Sequence, residues 1–209
     1  QSANCKVQNY NSKIKVGGLN LKIPGDHIKS NAAAAITMAR ILNIPDEVSV
    51  AALNEFNGTW RRFEYKGEIN GAKIYDDYGH HPTEIIATIK AAKELVENPS
   101  GRLWIVFQPH QYQRTYKLFD QFVSAFDDAD VVVLLPIYSV AGREKEEIKM
   151  KVNSKMLADE IGKHRKNVVC VDDMDEVSDL LKKNLSSGDI CLIMGAGDIY
   201  KLTEKLFGV

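Results

Sequence analysis

From about residue 72 onward, the chain alternates short apolar runs with segments of helical periodicity. The apolar runs are Lys73–Tyr78, Leu103–Gln108, Val131–Tyr138, Asn167–Val171 and Ile190–Met194. The helical segments are Pro82–Glu97, Tyr116–Phe126, Ser154–Lys163, Met174–Asn184 and Ile199–Phe207. Strand and helix in turn predict an α/β fold with a mostly parallel sheet and helices on both faces. The runs are continuously apolar, which is typical of strands that are buried on both faces.

The N-terminal part of the chain follows a different pattern. Short strands are predicted over Val7–Tyr10, Ile14–Val16 and Leu19–Ile23. Helices are predicted over His27–Leu42, with Asp26 as the capping residue, and over Asp46–Phe56. With three short strands and two helices, this segment looks like the tail of a domain whose front is missing. We therefore expect the chain to be a piece of a longer protein.

A hairpin is predicted after these helices, over Phe63–Glu68 and Ala72–Tyr78. Asn70-Gly71 between them supplies the positive φ angles that a tight two-residue turn needs. Asn57-Gly58 ends the helix before the hairpin. The sequence thus predicts two domains, residues 1–58 and residues 59–209, and the second is long enough to be a whole α/β domain.

Local signals support several of the helices. Pro82 suits a first helical position, with Glu84 in the first turn, and Asp173 is predicted to cap a later helix with Glu176. The charged segment Arg143–Lys151 is predicted to be a solvated loop. One apolar stripe on the helix that starts at Pro82 comprises Ile85, Ile86, Ile89, Ala92 and Leu95.

Composition excludes several classes of function. The 209 residues include 27 Lys and Arg and 28 Asp and Glu, and this balance argues against a general nucleic-acid binder. The longest apolar run, Val131–Leu135, is far shorter than the roughly 18 residues of a membrane helix. Cys5, Cys170 and Cys191 show no metal-ligand spacing, and we expect free thiols in a reducing compartment. No membrane association and a cytoplasmic location are therefore expected.

Titratable side chains concentrate in the segment Asp76-Asp77-Tyr78-Gly79-His80-His81-Pro82, between a strand and a helix. In open α/β sheets, ligands bind at the carboxyl ends of the strands. Two carboxylates can hold a metal or a ribose, and an imidazole can hold a carboxylate or move a proton. The alternative is structural, with Asp76 and His81 satisfying turn and cap groups.

Two more polar clusters follow apolar runs. In Gln108–Thr115, His110 and Arg114 offer an imidazole and a guanidinium, the latter suited to a carboxylate or phosphate, unless Arg114 makes a surface ion pair. In Gly195-Ala196-Gly197-Asp198, the glycines allow either close approach of a ligand or a tight turn. The chain contains no G-x-x-x-x-G-K-[ST] motif, so it has no phosphate loop of its own.

These clusters together resemble the Mur ligases of peptidoglycan synthesis. The matching stretches, in order, are Gly25–Ala32, Arg61–Phe63, Asp76–Glu84, Phe107–Thr115 and Gly195–Asp198. The string Gln-Pro-His-x-Tyr-x-Arg-Thr is similar to that of the alanine-adding members. The family has a nucleotide-sugar domain, a central ATPase domain and a C-terminal Rossmann-like domain. The resemblance implies that residues 1–58 end the central domain and residues 59–209 form the C-terminal one.

The resemblance also implies a reaction. ATP, with Mg²⁺, phosphorylates the carboxylate of UDP-N-acetylmuramate, and the amine of L-alanine attacks the acyl phosphate to form an amide. The magnesium ligands of the family are not expected within this chain, and no metal site is predicted here. Because the phosphate loop is missing, the chain is expected to be inactive without the N-terminal and ATPase domains.

Roles of individual residues follow from the same resemblance. His27, Asn31, Arg62 and Asp77 are expected to contact ATP, with Asn31 on the adenine. The L-alanine pocket is expected to comprise Tyr78, His80, His110 and Arg114, with Arg114 on the substrate carboxylate.

The chain departs from the family pattern at two positions. Ile28 stands where an Asn is usual, and Gln111 stands where many members have a basic residue. A neutral Gln111 leaves Arg114 as the main partner of the carboxylate.

Two other functions stay open from the sequence. One is a related amide ligase with another amino-acid substrate, such as a peptide-recycling or folate-type member. The other is a stand-alone module that binds a nucleotide or a partner protein through the same sheet edge.

Overall fold

A computed structural model of the chain describes residues 18–96, 99–142 and 144–208. Two units are distinguished within the chain, Gln1–Gly58 and Thr59–Val209. The predicted strands Val7–Tyr10 and Ile14–Val16 lie outside the described residues, as does Cys5.

The smaller unit contains two helices, α1 (Asp26–Ile41) and α2 (Asp46–Glu55). The prediction that Asp26 caps α1 was wrong. Gly25 is the capping residue, with a φ of 107° that favours glycine, and Asp26 is already helical. The Asp26 carboxylate pairs with Nζ of Lys29 at 3.0 Å instead.

The predicted strand Leu19–Ile23 was also wrong, because this segment carries no strand among the described residues. The backbone at the start of this segment and just before it forms hydrogen bonds with the side chain of Asn54 on α2. Oδ1 of Asn54 accepts the N–H of Asn20 at 2.7 Å, and Nδ2 donates to the oxygen of Gly18 at 2.8 Å. A side-chain amide therefore satisfies backbone groups that a neighbouring strand would satisfy in a sheet.

The larger unit is built on a six-stranded sheet in the order β1-β2-β6-β3-β4-β5. The β1–β2 pair is antiparallel, and the other four pairs of neighbouring strands in this sheet are parallel. All five residues of β3 and β6 are buried, so both faces of the central strands are covered. The α/β fold with a mostly parallel sheet is thus confirmed. The strands are β1 (Glu64–Ile69), β2 (Ala72–Asp77), β3 (Leu103–Phe107), β4 (Val131–Leu134), β5 (Val168–Cys170) and β6 (Ile190–Met194).

Register aligns the carboxyl ends of four strands. Asp77 of β2 lies opposite Met194 of β6, which lies opposite Phe107 of β3, which in turn lies opposite Leu134 of β4. The loops that follow these strands therefore leave the sheet from one edge. Two of the loops also pair with each other, through a bridge between His110 and Tyr138.

The helix that begins at Pro82 ends at Lys93, earlier than predicted, and the last helix begins at Lys201, later than predicted. Two other segments differ from the prediction in kind. The segment Tyr116–Phe126 is two helices instead of one, because Leu118 leaves the helical region with φ −109° and ψ 21°. The segment Arg143–Lys151, predicted as a loop, contains a short helix. The helices are α3 (Pro82–Lys93), α4 (Tyr112–Lys117), α5 (Phe119–Ser124), α6 (Glu146–Lys149), α7 (Ser154–His164), α8 (Met174–Asn184) and α9 (Lys201–Phe207).

Three of the five residues in the predicted apolar stripe are buried, and Leu95 is half-buried beyond the end of the helix at Lys93. Ile85, Ile89 and Ala92 are at most 1% exposed, whereas Ile86 is 46% exposed. The predicted strand Val131–Tyr138 ends earlier, at Leu134, since Pro136 has no N–H to donate to a sheet.

Several local signals are confirmed. Asn70 and Gly71 have φ angles of 54° and 79° in the hairpin turn. The Asp173 side chain caps α8 by accepting the N–H of Glu176 at 2.9 Å, and Glu176 accepts the N–H of Asp172 at 3.0 Å. No helix among the described residues is long and apolar enough to cross a bilayer.

Candidate functional site

The candidate site lies where β2, β6, β3 and β4 end, and a buried arginine joins two of these ends. Arg61 is 1% exposed. Its Nε donates to Oδ1 and Oδ2 of Asp76, at 3.1 and 3.3 Å. Its Nη2 and Nη1 donate to the main-chain oxygens of Gly195 and Gly197. One guanidinium thus ties the end of β2 to the loop after β6.

Three aromatic rings surround the same guanidinium. The centroids of Trp60, Tyr78 and Tyr200 lie 5.7, 5.3 and 5.2 Å from Cζ of Arg61. Burial raises the pKa of Asp76, and the charge and hydrogen bond of Arg61 oppose that shift. Arg61 belongs to a matching stretch of the sequence, but sequence reasoning gave it no role of its own. The Asp76 carboxylate therefore balances a buried cation, whereas the structural alternative had it satisfying turn and cap groups.

The glycines after β6 are explained by close packing. A Cβ on Gly197 would lie 2.6 Å from Cγ of Tyr138 and 2.8 Å from Oε1 of Gln108, which is buried without a hydrogen-bond partner among the described residues. A Cβ on Gly195 would lie 2.8 Å from the Gln108 oxygen. The loop carbonyls face Arg61, and α9 begins only at Lys201. These contacts favour the tight turn over an anion site at a helix N-terminus.

Asp77 is nearly buried, with 5% exposure, at the end of β2. Its Oδ2 accepts the N–H of Phe63 at 2.9 Å, and its Oδ1 accepts the N–H of Gly79 at 2.7 Å. Two backbone N–H groups therefore fix the orientation of the Asp77 carboxylate.

Arg62 is more accessible than its neighbour Arg61. Its side chain is 48% exposed, and its Cζ lies 5.4 Å from the ring centroid of Tyr78. Its Nη1 is 4.0 Å from Oε1 of Glu84. A half-exposed guanidinium in this setting can bind a phosphate or carboxylate.

Four rings form a row along the sheet edge: Tyr78, His80, His110 and Tyr138. The centroids of Tyr78 and His80 are 5.4 Å apart, and those of His80 and His110 are 5.9 Å apart, both edge to face. His110 stacks on Tyr138 at 5.4 Å with an interplanar angle of 9°. Tyr138 and Gln108 join the site only through tertiary contacts, and sequence reasoning assigned neither a role.

Arg114 extends this row from α4. Its Nη1 lies 3.4 Å from Nδ1 and 3.5 Å from the main-chain oxygen of His110. The helix begins after Gln111, whose φ is 72°. Among the described residues, Arg114 makes no ion pair with a carboxylate, so the surface ion pair considered from the sequence is not observed. The structure thus brings together Tyr78, His80, His110 and Arg114.

The start of α3 carries the remaining histidine of the cluster. His81 is the capping residue, and its Nδ1 accepts the N–H of Thr83 at 3.3 Å. Glu84 completes a capping box from inside the first turn. The structural interpretation of His81 therefore holds.

His27 and Asn31 lie in the smaller unit, one turn apart on α1. Asn31 is exposed and His27 is partly buried. No group of three or more His, Cys, Asp or Glu side chains within the described ranges could hold a metal ion.

Sequence comparison finds one family and many relatives. The family model for the Mur ligase, glutamate ligase domain matches residues 61–197. The UDP-N-acetylmuramate–L-alanine ligase of Clostridium novyi is 42% identical over 195 residues, which cover 93% of this chain and 41% of that protein. The enzyme of the same name from Clostridium tetani is 45% identical over 181 residues, which cover 87% and 38%. The chain spans about two-fifths of the length of these relatives.

Structure comparison agrees. The crystal structure of UDP-N-acetylmuramate–alanine ligase from Thermotoga maritima matches with a TM-score of 0.73 and 29% identity, over 91% of this chain and 39% of that one. A murein peptide ligase from Psychrobacter arcticus matches with a TM-score of 0.60 and 25% identity, over 91% and 38%. The folylpolyglutamate synthase/dihydrofolate synthase of Yersinia pestis is 13% identical, with a TM-score of 0.63 over 92% and 41%, and shows the fold alone.

Proposed function

Because the chain belongs to the Mur ligase family, we propose that it is the C-terminal part of an ATP-dependent ligase that joins L-alanine to UDP-N-acetylmuramate through an acyl phosphate. In this proposal residues 59–209 are the C-terminal domain and residues 1–58 end the central ATPase domain. Relatives that are 42–45% identical are named for this reaction. ATP, UDP-N-acetylmuramate and L-alanine are small water-soluble compounds, and we also propose that the enzyme works in the bacterial cytoplasm.

One observation carries the choice of substrate: Arg114 stands beside His110 with no carboxylate paired to it among the described residues. A guanidinium in this position can clamp the carboxylate of an amino acid in bidentate fashion. In this proposal the rest of the substrate lies beside the row of rings, with its amine near Tyr78 and His80. A clamped carboxylate and a free amine satisfy the positioning that amide formation needs.

In the larger unit, Arg62 and Asp77 are the residues that we propose contact ATP, as the resemblance indicated. Arg62 supplies an accessible cation for a phosphate, and Asp77 supplies an oriented acceptor for a ribose hydroxyl. In the smaller unit, the residues proposed to contact ATP are His27 and Asn31 on α1. The chain contains no phosphate loop, so we propose that other parts of the longer protein bind most of the triphosphate.

Magnesium does not fit the described residues as a protein-bound ion. They contain no suitable group of three ligands. In our proposal the phosphates of ATP and residues outside this chain hold the Mg²⁺, and nothing in this chain ligates it.

Because the proposed site needs residues from outside this chain, the 209 residues alone give a direct test. Calorimetric titration with ATP and then with L-alanine is expected to show very weak or no binding. The same chain is expected to form no ADP from ATP when UDP-N-acetylmuramate and L-alanine are present. The full-length protein is expected to form it. Tight ATP binding by the 209 residues would instead support a stand-alone nucleotide-binding module, and ADP formation by them would contradict the proposal.

A further inference from the structure

The contacts of His80 fix which of its ring nitrogens carries a hydrogen. Its Nδ1 is 3.0 Å from the main-chain oxygen of Tyr78 and 3.6 Å from Oε2 of Glu84. Both partners are oxygen acceptors, so Nδ1 is the donor. The neutral ring of His80 therefore presents Nε2 as its lone-pair nitrogen.

His110 is held in the opposite tautomer. Nη1 of Arg114 lies 3.4 Å from Nδ1 of His110, and a guanidinium can only donate. Nδ1 of His110 therefore accepts, and its Nε2 carries the hydrogen.

Glu84 supports His80 with a negative charge. Its Oε2 accepts the N–H of His80 and of His81 at 2.9 and 3.0 Å. Burial raises the pKa of Glu84, but these hydrogen bonds and the charges of His80 and Arg62 outweigh burial and lower the pKa below its usual value. An ionised carboxylate thus faces Nδ1 of His80, an arrangement that orients an imidazole and stabilises an imidazolium.

We propose that His80 is a catalytic residue whose Nε2 takes a proton from the ammonium group of the amino-acid substrate, with Glu84 as the residue that positions it. This inference rests on the proposed function. One ammonium proton passes to Nε2, and the freed lone pair forms the C–N bond to the acyl carbon. The C–O bond to phosphate breaks, and the second proton leaves with the phosphate. The imidazolium then gives its proton to water, which reaches the 21% exposed side chain.

The charged and titratable groups around His80 come from three elements. Tyr78 lies beside it after β2, His110 faces it after β3, and Glu84 faces it from α3. Arg62 lies 4.0 Å from the Glu84 carboxylate, and Arg114 contacts His110. Among these groups Glu84 carries the negative charge nearest to Nδ1 of His80. Removing that charge is therefore the change expected to affect the tautomer of His80 most.

The tautomer is measured first, by two-bond ¹H–¹⁵N NMR of the histidine rings in the 209-residue chain. The neutral ring of His80 is expected to carry its hydrogen on Nδ1. The variant Glu84→Gln keeps an oxygen that can cap α3 but loses the charge, and should lower the ratio of Nδ1–H to Nε2–H by about threefold. Glu176→Gln is the matched control, because Glu176 has the same capping role in α8, and it should leave the ratio unchanged. A hydrogen on Nε2 of the wild-type ring would overturn the proposal.

The proton transfer is measured second, in the full-length enzyme, from the pH profile of kcat/KM for the amino acid. His80→Gln is expected to lower kcat by about 100-fold or more and to abolish the acidic limb of the profile. Glu84→Gln should move that limb to lower pH, and Glu176→Gln should not move it. An intact acidic limb in His80→Gln would overturn the proposed role of His80. The proposed ligation of L-alanine would not be affected by that result. A wild-type enzyme that does not use L-alanine as a substrate would instead overturn the proposed function. The NMR measurement would still determine the tautomer of His80.

Discussion

Replacing Arg61 with alanine is expected to lower the free energy of unfolding by about 3–5 kcal/mol. The reason is the burial of both partners, since the side chains of Arg61 and Asp76 are 1% and 2% exposed. Without the guanidinium, Asp76 keeps a buried charge with no counter-ion, and the carbonyls of Gly195 and Gly197 lose their donors. Urea unfolding of the 209-residue chain, followed by fluorescence, measures the change from the shift in midpoint.

Three further variants make this result specific. Arg62→Ala removes the adjacent, half-exposed arginine and should change stability by about 0.5 kcal/mol or less. Arg61→Lys should not restore stability, because an ammonium cannot reproduce the fork that reaches Asp76 and both carbonyls. The double variant Arg61→Ala with Asp76→Ala should be less destabilised than the sum of the single variants. Equal losses for Arg61→Ala and Arg62→Ala would show that the buried pair is not central to the fold.

Replacing Arg114 with alanine in the full-length enzyme is expected to raise KM for L-alanine by about 100-fold, since a charge-assisted pair with a carboxylate contributes about 2–3 kcal/mol. Because the guanidinium contacts His110 and no carboxylate in the described residues, its loss leaves no buried anion behind. We therefore expect a small effect on folding. KM for ATP should stay near its wild-type value, and steady-state kinetics with each substrate varied in turn measure both.

The control for Arg114→Ala is Lys117→Ala, which removes an exposed cation from the same helix. It should leave KM for L-alanine unchanged. An unchanged KM in Arg114→Ala would argue that the clamp lies elsewhere, as expected for a related amide ligase that uses another amino acid.

Much of the larger unit could be predicted from the sequence because its strands are buried on both faces and its turns use residues with strong preferences. Apolar runs located β3, β4 and β6, and Asn70-Gly71 located the hairpin turn. Parallel strands also place the polar segments that follow them at one edge. The sequence could therefore predict that His80 and His110 would lie near each other.

Other features depend on contacts that no local pattern encodes. Arg61 bonds to Gly195 and Gly197, more than 130 residues away in the chain. Arg62 is the same residue type at the next position, so no local pattern indicated which of the two would be buried. The segment Leu19–Ile23 has the composition of a strand but forms none, and the N–H of Asn20 donates to the Asn54 side chain instead.

We expect the full-length enzyme to join L-alanine to UDP-N-acetylmuramate. The most direct test incubates that enzyme with UDP-N-acetylmuramate, MgATP and an equimolar mixture of the protein amino acids, and identifies the product by mass spectrometry. We expect one main product, which carries alanine, and an equal amount of ADP. A main product that carries a different amino acid, or no product while ATP is still hydrolysed, would contradict this expectation.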